Sequence, residues 1–120
     1  MTAGNLVAGR SPVRPGETAR VFEFRGRLTY GPFSEQRYQD LRAEIERGSR
    51  YFVFDLSQVP DVDSAGIGFL VECLTTVRRA QGALCLAAPS ERVLYSLRIT
   101  RLDSLFPAFE SVEAALGKTR

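Results

Sequence analysis

The sequence has no histidine and no tryptophan, one lysine, one methionine and two cysteines among its 120 residues. Without histidine there is no Ser-His-Asp or Cys-His nucleophile, no histidine-ligated zinc and no histidine phosphorelay. Cys73 and Cys85 stand in apolar surroundings without CxxC spacing. They read as buried free thiols of a reducing compartment rather than as a disulfide. No apolar run reaches the roughly 18 residues that a membrane span needs. The opening MTAGNLVAGRSPVRPG lacks the apolar stretch of an export signal, so a cytoplasmic protein is expected. A net charge of +2 is too small to argue for direct nucleic-acid binding. The phosphate-loop pattern GxxxxGKS/T is also absent.

What remains is an ordinary globular composition, 44% hydrophobic and 25% charged, of a length that suits one domain. Nearly all the positive charge is arginine, 15 residues against Lys118 alone. The arginines of the first 27 residues are scattered between glycine, proline and apolar positions, which suits a solvated surface. Residues 1–16 carry Gly4, Gly9, Pro12, Pro15 and Gly16 around a short apolar piece. They read as a flexible segment or a weak edge strand at 5–10, ahead of a domain over 17–120.

Residues 18–28 (TARVFEFRGRL) alternate as a strand with one covered face, Gly26 marking its end or a bulge. Tyr38, Leu41 and Ile45 form the single apolar stripe of a solvated helix that Gly48 stops. Residues 50–56 (RYFVFDL) are nearly continuously apolar, the mark of a strand covered on both faces. A helix starting at Ser64 buries Ile67, Leu70, Val71, Leu74 and Val77 and ends at Gly82, with Arg78 and Arg79 complementing its dipole. Residues 83–88 predict a second central strand, and Pro89-Ser90 opens a helix directing Val93, Leu94 and Leu97 inward. A short strand near 104–106 and a last helix over 111–116 complete the chain. Strands alternating with helices predict an α/β fold: a mixed, partly parallel sheet of four or five strands packed with about four helices.

Chemistry concentrates in residues 55–70, DLSQVPDVDSAGIGFL. A strand ends, a loop carries Asp61 and Asp63, and Ser64 stands where a helix begins. A serine there can cap the helix by accepting a free backbone N–H. A phosphoryl group on its hydroxyl would face unpaired N–H groups and the positive dipole end. Gly66 and Gly68 leave that first turn bare of side chains, open to close approach by another molecule or to tight packing. Asp61 and Asp63, two residues apart without further ligands, suit a turn and a cap-side anion better than a metal or acid–base pair. Asp55 at a strand end invites comparison with a phospho-accepting aspartate, but the early strands offer no adjacent carboxylates and no lysine stands late in the sheet. Tyr30, Phe33 and Tyr38 suit core packing or a partner surface, core packing being the expectation.

This stretch closely resembles the signature of the STAS family, the domain of bacterial anti-sigma factor antagonists: D-L-S, a short loop, then D-S-x-G-I/L-G and an apolar helix. The resemblance covers roughly residues 18–117. RGRLTYGPF is similar to the family's early loop, QGALCLAAPSERVLYSLRITRLDSLF to its strand–helix–strand continuation and SVEAAL to its last helix. It implies a partner-switching protein that is a substrate and not an enzyme. An ATP-binding anti-sigma factor that doubles as a serine kinase would phosphorylate Ser64. The unphosphorylated form would bind that kinase and free the sigma factor, and a serine phosphatase would reset the switch. The resemblance implies a partner surface of Thr29, Asp61, Asp63, Ser64, Ala65, Gly66 and Gly68. No metal or cofactor, no direct nucleic-acid or membrane contact, and a monomer or weak dimer are expected. Ala65 stands where the family often has a second serine, leaving Ser64 the only hydroxyl there. Thr29 stands where antagonists usually carry an acidic residue, in a G-x-L-D pattern. The alternative is a non-switching STAS domain, a signalling scaffold or a transporter accessory.

Overall fold

A computed structural model of the chain describes residues 11–14 and 17–117. The weak strand expected at 5–10 lies outside the described residues. Residues 11–14 are not detached from the domain: the Ser11 hydroxyl donates to the Ala115 carbonyl at the far end of the chain.

Four strands, β1 (Ala19–Arg25), β2 (Tyr51–Gln58), β3 (Ala83–Ala87) and β4 (Ala108–Phe109), form one sheet in the order β1-β2-β3-β4. Among the described residues every strand pairing is parallel, where a partly parallel sheet is expected. Helices α1 (Pro32–Glu46), α2 (Ser64–Arg79) and α3 (Glu91–Ile99) connect the strands, and α4 (Val112–Ala115) follows β4. A parallel sheet needs such crossovers, because a hairpin cannot join parallel neighbours.

Alternation along the strands divides the core. Phe22, Phe24, Phe52, Phe54, Leu56, Leu84 and Leu86 pack with α1, α2 and α3 on one face. Val53, Cys85, Ala87 and Phe109 meet α4 on the other. Phe54 is fully buried and its ring lies 4.8 Å from that of Phe24 and 5.8 Å from that of Phe22. Both cysteines are free and buried, as expected. Burial raises both thiols, that of Cys85 to about 12, so neither offers a thiolate near neutral pH.

The helix ends follow the sequence signals with one substitution of roles. Arg47 is the C-cap of α1 and Gly48 next to it takes the left-handed conformation, φ 103°. At the end of α2 that conformation falls on Gln81, φ 64°, and not on Gly82. Gly82 is glycine for another reason: a Cβ there would lie 2.1 Å from the Arg50 carbonyl oxygen. The strand expected at 104–106 is a 3₁₀ turn over Asp103–Leu105, and the strand itself comes later, at Ala108–Phe109. Phe106 is buried all the same, so its apolar character marks the core and not a strand.

Candidate functional site

The site is built where β1 and β2 end. Beyond β1 the chain stays beside the segment leading out of β2: Gly26 N–H donates to the Gln58 carbonyl at 2.9 Å and Leu28 N–H to the Asp61 carbonyl at 3.0 Å. Asp63 N–H returns a bond to the Leu28 carbonyl at 3.1 Å, making Leu28 and Val62 an isolated parallel bridge. On the other side, Ser90 caps α3 by accepting from Val93 N–H, and its hydroxyl donates to the Pro60 carbonyl at 3.0 Å. Residues 60–63 are thus tied to the loop after β1 and to the start of α3, which fixes the entry to α2.

Asp63, not Ser64, is the N-cap of α2. Its Oδ1 accepts the Gly66 N–H at 2.8 Å, and its Oδ2 accepts the Thr29 hydroxyl at 2.6 Å. Both aspartate and serine cap well, so the dipeptide leaves the choice open. The bond from Asp63 N–H to Leu28 decides it by holding residue 63 in extended conformation, ψ −179°. Ser64 is therefore the first helical residue. It is exposed, and its hydroxyl has no hydrogen-bond partner among the described residues.

The Thr29 hydroxyl, chiefly, and the Gly66 N–H, with Arg27 nearby, hold the Asp63 carboxyl below its ordinary value of 3.8. A carboxyl depressed in the folded state adds stability above its unfolded pKa, and that stability fades as pH falls through the folded value. We expect wild type to resist urea better than Asp63→Asn at pH 7. The difference should shrink as pH drops below 3.8. An unchanged difference in urea titrations at pH 7 and pH 3 would contradict the assignment.

Asp61 is held otherwise. Arg27 Nε lies 3.4 Å from its Oδ1 and Arg92 Nη1 3.7 Å from its Oδ2. Both arginines are well exposed, so these pairs orient the carboxylate and add little stability. Asp63 is divided between a cap and a hydroxyl, whereas Asp61 faces two arginines. Beside Asp61 a cleft of about 430 Å³ opens, lined in part by Val62, Glu91, Arg92 and Tyr95.

The two glycines have different settings. Gly66 is buried, and a Cβ on it would lie 2.1 Å from the Leu28 carbonyl oxygen and 2.7 Å from Val62 Cγ2. Its bareness serves the chain's own packing. Gly68 is exposed with open space where a Cβ would stand, and Ala65 is exposed beside Ser64. Thr29, Asp61, Asp63, Ser64, Ala65 and Gly68 thus share a solvent-accessible surface, while Gly66 supports it from below.

Tyr30 and Phe33 differ from the core-packing expectation, being 56% and 50% exposed. Phe33 still sets its ring edge-on to Phe24 at 6.0 Å, with the Arg37 guanidinium 5.0 Å from its centroid. Only Tyr38 turns inward, its hydroxyl 2.9 Å from that of Thr76 on α2. Arg27, Ser90 and Arg92 organise the site yet lie outside the motif; their spacing carries no signal, because they reach it through tertiary contact.

Residues 12–115 match the family model described as STAS domain. "Putative anti-sigma factor antagonist BtrV" of Bordetella bronchiseptica is 32% identical over 82 residues, which is 68% of this chain and 71% of that protein. "Putative anti-sigma factor antagonist TM1081 homolog" of Thermotoga neapolitana is 32% identical over 76 residues, 63% of this chain and 67% of that one. Among solved structures, the anti-sigma factor antagonist SpoIIAA in its unphosphorylated form superposes with a TM-score of 0.70 at 17% identity, covering 86% of this chain and 89% of that one. A sulfate transporter family protein from Wolinella succinogenes gives 0.73 at 21% identity, covering 87% and 84%. At such identities the solved structures share the fold alone. The family match spans the whole sheet and the segment that carries Ser64, and the chain belongs to the STAS domain family.

Proposed function

We propose that this chain is a cytoplasmic anti-sigma factor antagonist whose switch is the Ser64 hydroxyl. The unphosphorylated form binds an anti-sigma factor that is also a serine kinase, and so releases the sigma factor. Phosphorylation of Ser64 ends that binding, and a serine phosphatase restores it. The chain is the substrate; the partner brings ATP. The names borne by BtrV and the Thermotoga neapolitana relative support the class of partner.

The observation that carries the reading is the placement of Ser64. Its hydroxyl is solvent-accessible, is not consumed by capping and stands on the first turn of α2. A phosphate there adds about −1.5 to −2 charges beside Asp63, while the N–H groups and dipole of the first turn favour the anion. The domain itself therefore need not rearrange. The effect falls on whatever surface was docked against a neutral hydroxyl.

Incubation with ATP and the anti-sigma partner, followed by intact-mass measurement, tests this. One phosphate should be added to wild type and none to Ser64→Ala. Binding of the partner without any added phosphate would reject the switch and leave a non-switching STAS scaffold or transporter-accessory domain.

A further inference from the structure

We propose that Thr29 is a positioning residue of this site: its hydroxyl holds the second oxygen of Asp63 and so keeps that carboxylate away from Ser64. The second half of this inference rests on the reading of Ser64 given above.

The geometry divides Asp63 between two donors. Oδ1 takes the Gly66 N–H at 2.8 Å and Oδ2 takes the Thr29 hydroxyl at 2.6 Å. The Thr29 bond is the only one of the two that crosses from another element through a side chain. Its short length suits a hydroxyl donating to an ionised acceptor. Leu28, immediately before Thr29, fixes the same residue through its backbone, its carbonyl accepting the Asp63 N–H at 3.1 Å. Backbone and side chain of residues 28 and 29 thus grip residue 63 together, one position before Ser64.

Loss of the hydroxyl would leave Oδ2 a charged acceptor without its donor. The nearest hydroxyl along the chain is that of Ser64, which has no partner among the described residues. A serine hydroxyl that donates to a neighbouring carboxylate is turned away from an incoming phosphoryl donor, and its proton is no longer free for a base on the partner. With Thr29 in place the Ser64 hydroxyl stays unengaged. A carboxylate at position 29 could not substitute, since it has no proton to donate and would repel Asp63. Threonine at this position therefore contributes an internal bond where an acidic residue could only face outward.

Thr29→Val keeps the branched shape at an exposed position and deletes only the donor, whereas Thr29→Ser restores it. The Asp63 carboxyl carbon is titrated by NMR in wild type and both variants. The Ser64 Hα–Hβ couplings report its rotamer, and Ser64 phosphorylation is followed with ATP and the kinase retained by immobilised wild-type chain. In Thr29→Val the Asp63 titration should move up toward its ordinary value, and the Ser64 couplings should change. The kcat of phosphorylation should fall about tenfold with KM within about twofold, the loss of one charge-assisted bond. Thr29→Ser should recover all three. An unmoved Asp63 titration or unchanged Ser64 couplings in Thr29→Val overturn the inference. So does a raised KM at constant kcat, which would make Thr29 a direct partner contact. If wild type takes no phosphate, the proposed function fails, and the titration and couplings still decide whether Thr29 holds Asp63 off Ser64.

Discussion

Gly66→Ala should destabilise the domain by about 3 kcal/mol or more, read as a lower urea midpoint at unchanged slope. The new methyl would meet the Leu28 carbonyl oxygen at 2.1 Å. That atom belongs to a backbone whose neighbours on both sides are bonded, Leu28 N–H to Asp61 and the same carbonyl to Asp63 N–H. No rotamer change relieves the clash, so α2 and the loop after β1 must separate. The separation breaks the bond from Asp63 N–H to the Leu28 carbonyl and the Thr29 contact together. Gly68→Ala is the matched control. Its Cβ would meet open space on the exposed face of the same helix, and alanine should stabilise by about 0.5–1 kcal/mol through backbone entropy. Equal effects of the two substitutions would contradict the packing described for α2.

Ser64→Asp should weaken binding of the anti-sigma partner about a hundredfold, a loss of about 3 kcal/mol, while Ser64→Ala should bind as tightly as wild type. Asp63 already places a carboxylate next to residue 64, and an ionised carboxylate only accepts, so the added anion meets a like charge and no donor in that side chain. A partner surface shaped for a hydroxyl would have to desolvate the anion without a counter-charge. Neither substitution touches a buried atom, so thermal melts of both should match wild type, and a binding loss can be assigned to charge. Calorimetric titration that finds Ser64→Asp and Ser64→Ala equally tight would remove Ser64 from the role of switch.

The sequence was most legible where periodicity and burial agree. The continuous apolar run of β2, the stripe of α2 and the Ser90 start of α3 all appear in the structure within a few residues of their expected bounds. The start of α2 at Ser64 is legible too, because a D-S dipeptide followed by an apolar stripe signals a helix N-terminus. Which of the two residues caps was not, since the bond that decides it comes from Leu28, thirty-five positions upstream of Asp63. β4 is not legible because its two residues, Ala108 and Phe109, are too few to show a period, and the apolar Leu105–Phe106 pair places the expected strand on the turn before it. Tyr30 and Phe33 depart from expectation for a related reason. Aromatic character alone favours burial, whereas their place near the start of α1 sets both at the solvent boundary.

Helix α2 touches backbone at both extremities through a residue without a side chain: Gly66 against the Leu28 carbonyl and Gly82, just past the last turn, against the Arg50 carbonyl. The span between these glycines acts as a gauge block between two fixed stops. A residue inserted or deleted within it would carry one glycine off its stop and put a Cβ-bearing neighbour there instead. The exposed turn around Gly48, where no atom crowds the position, has slack to absorb the same change. Length variation in this domain is therefore excluded by two contacts from the stretch between Gly66 and Gly82 and left to turns such as that around Gly48, and the distance from the Ser64 end of the helix to the opposite end of the sheet is held constant.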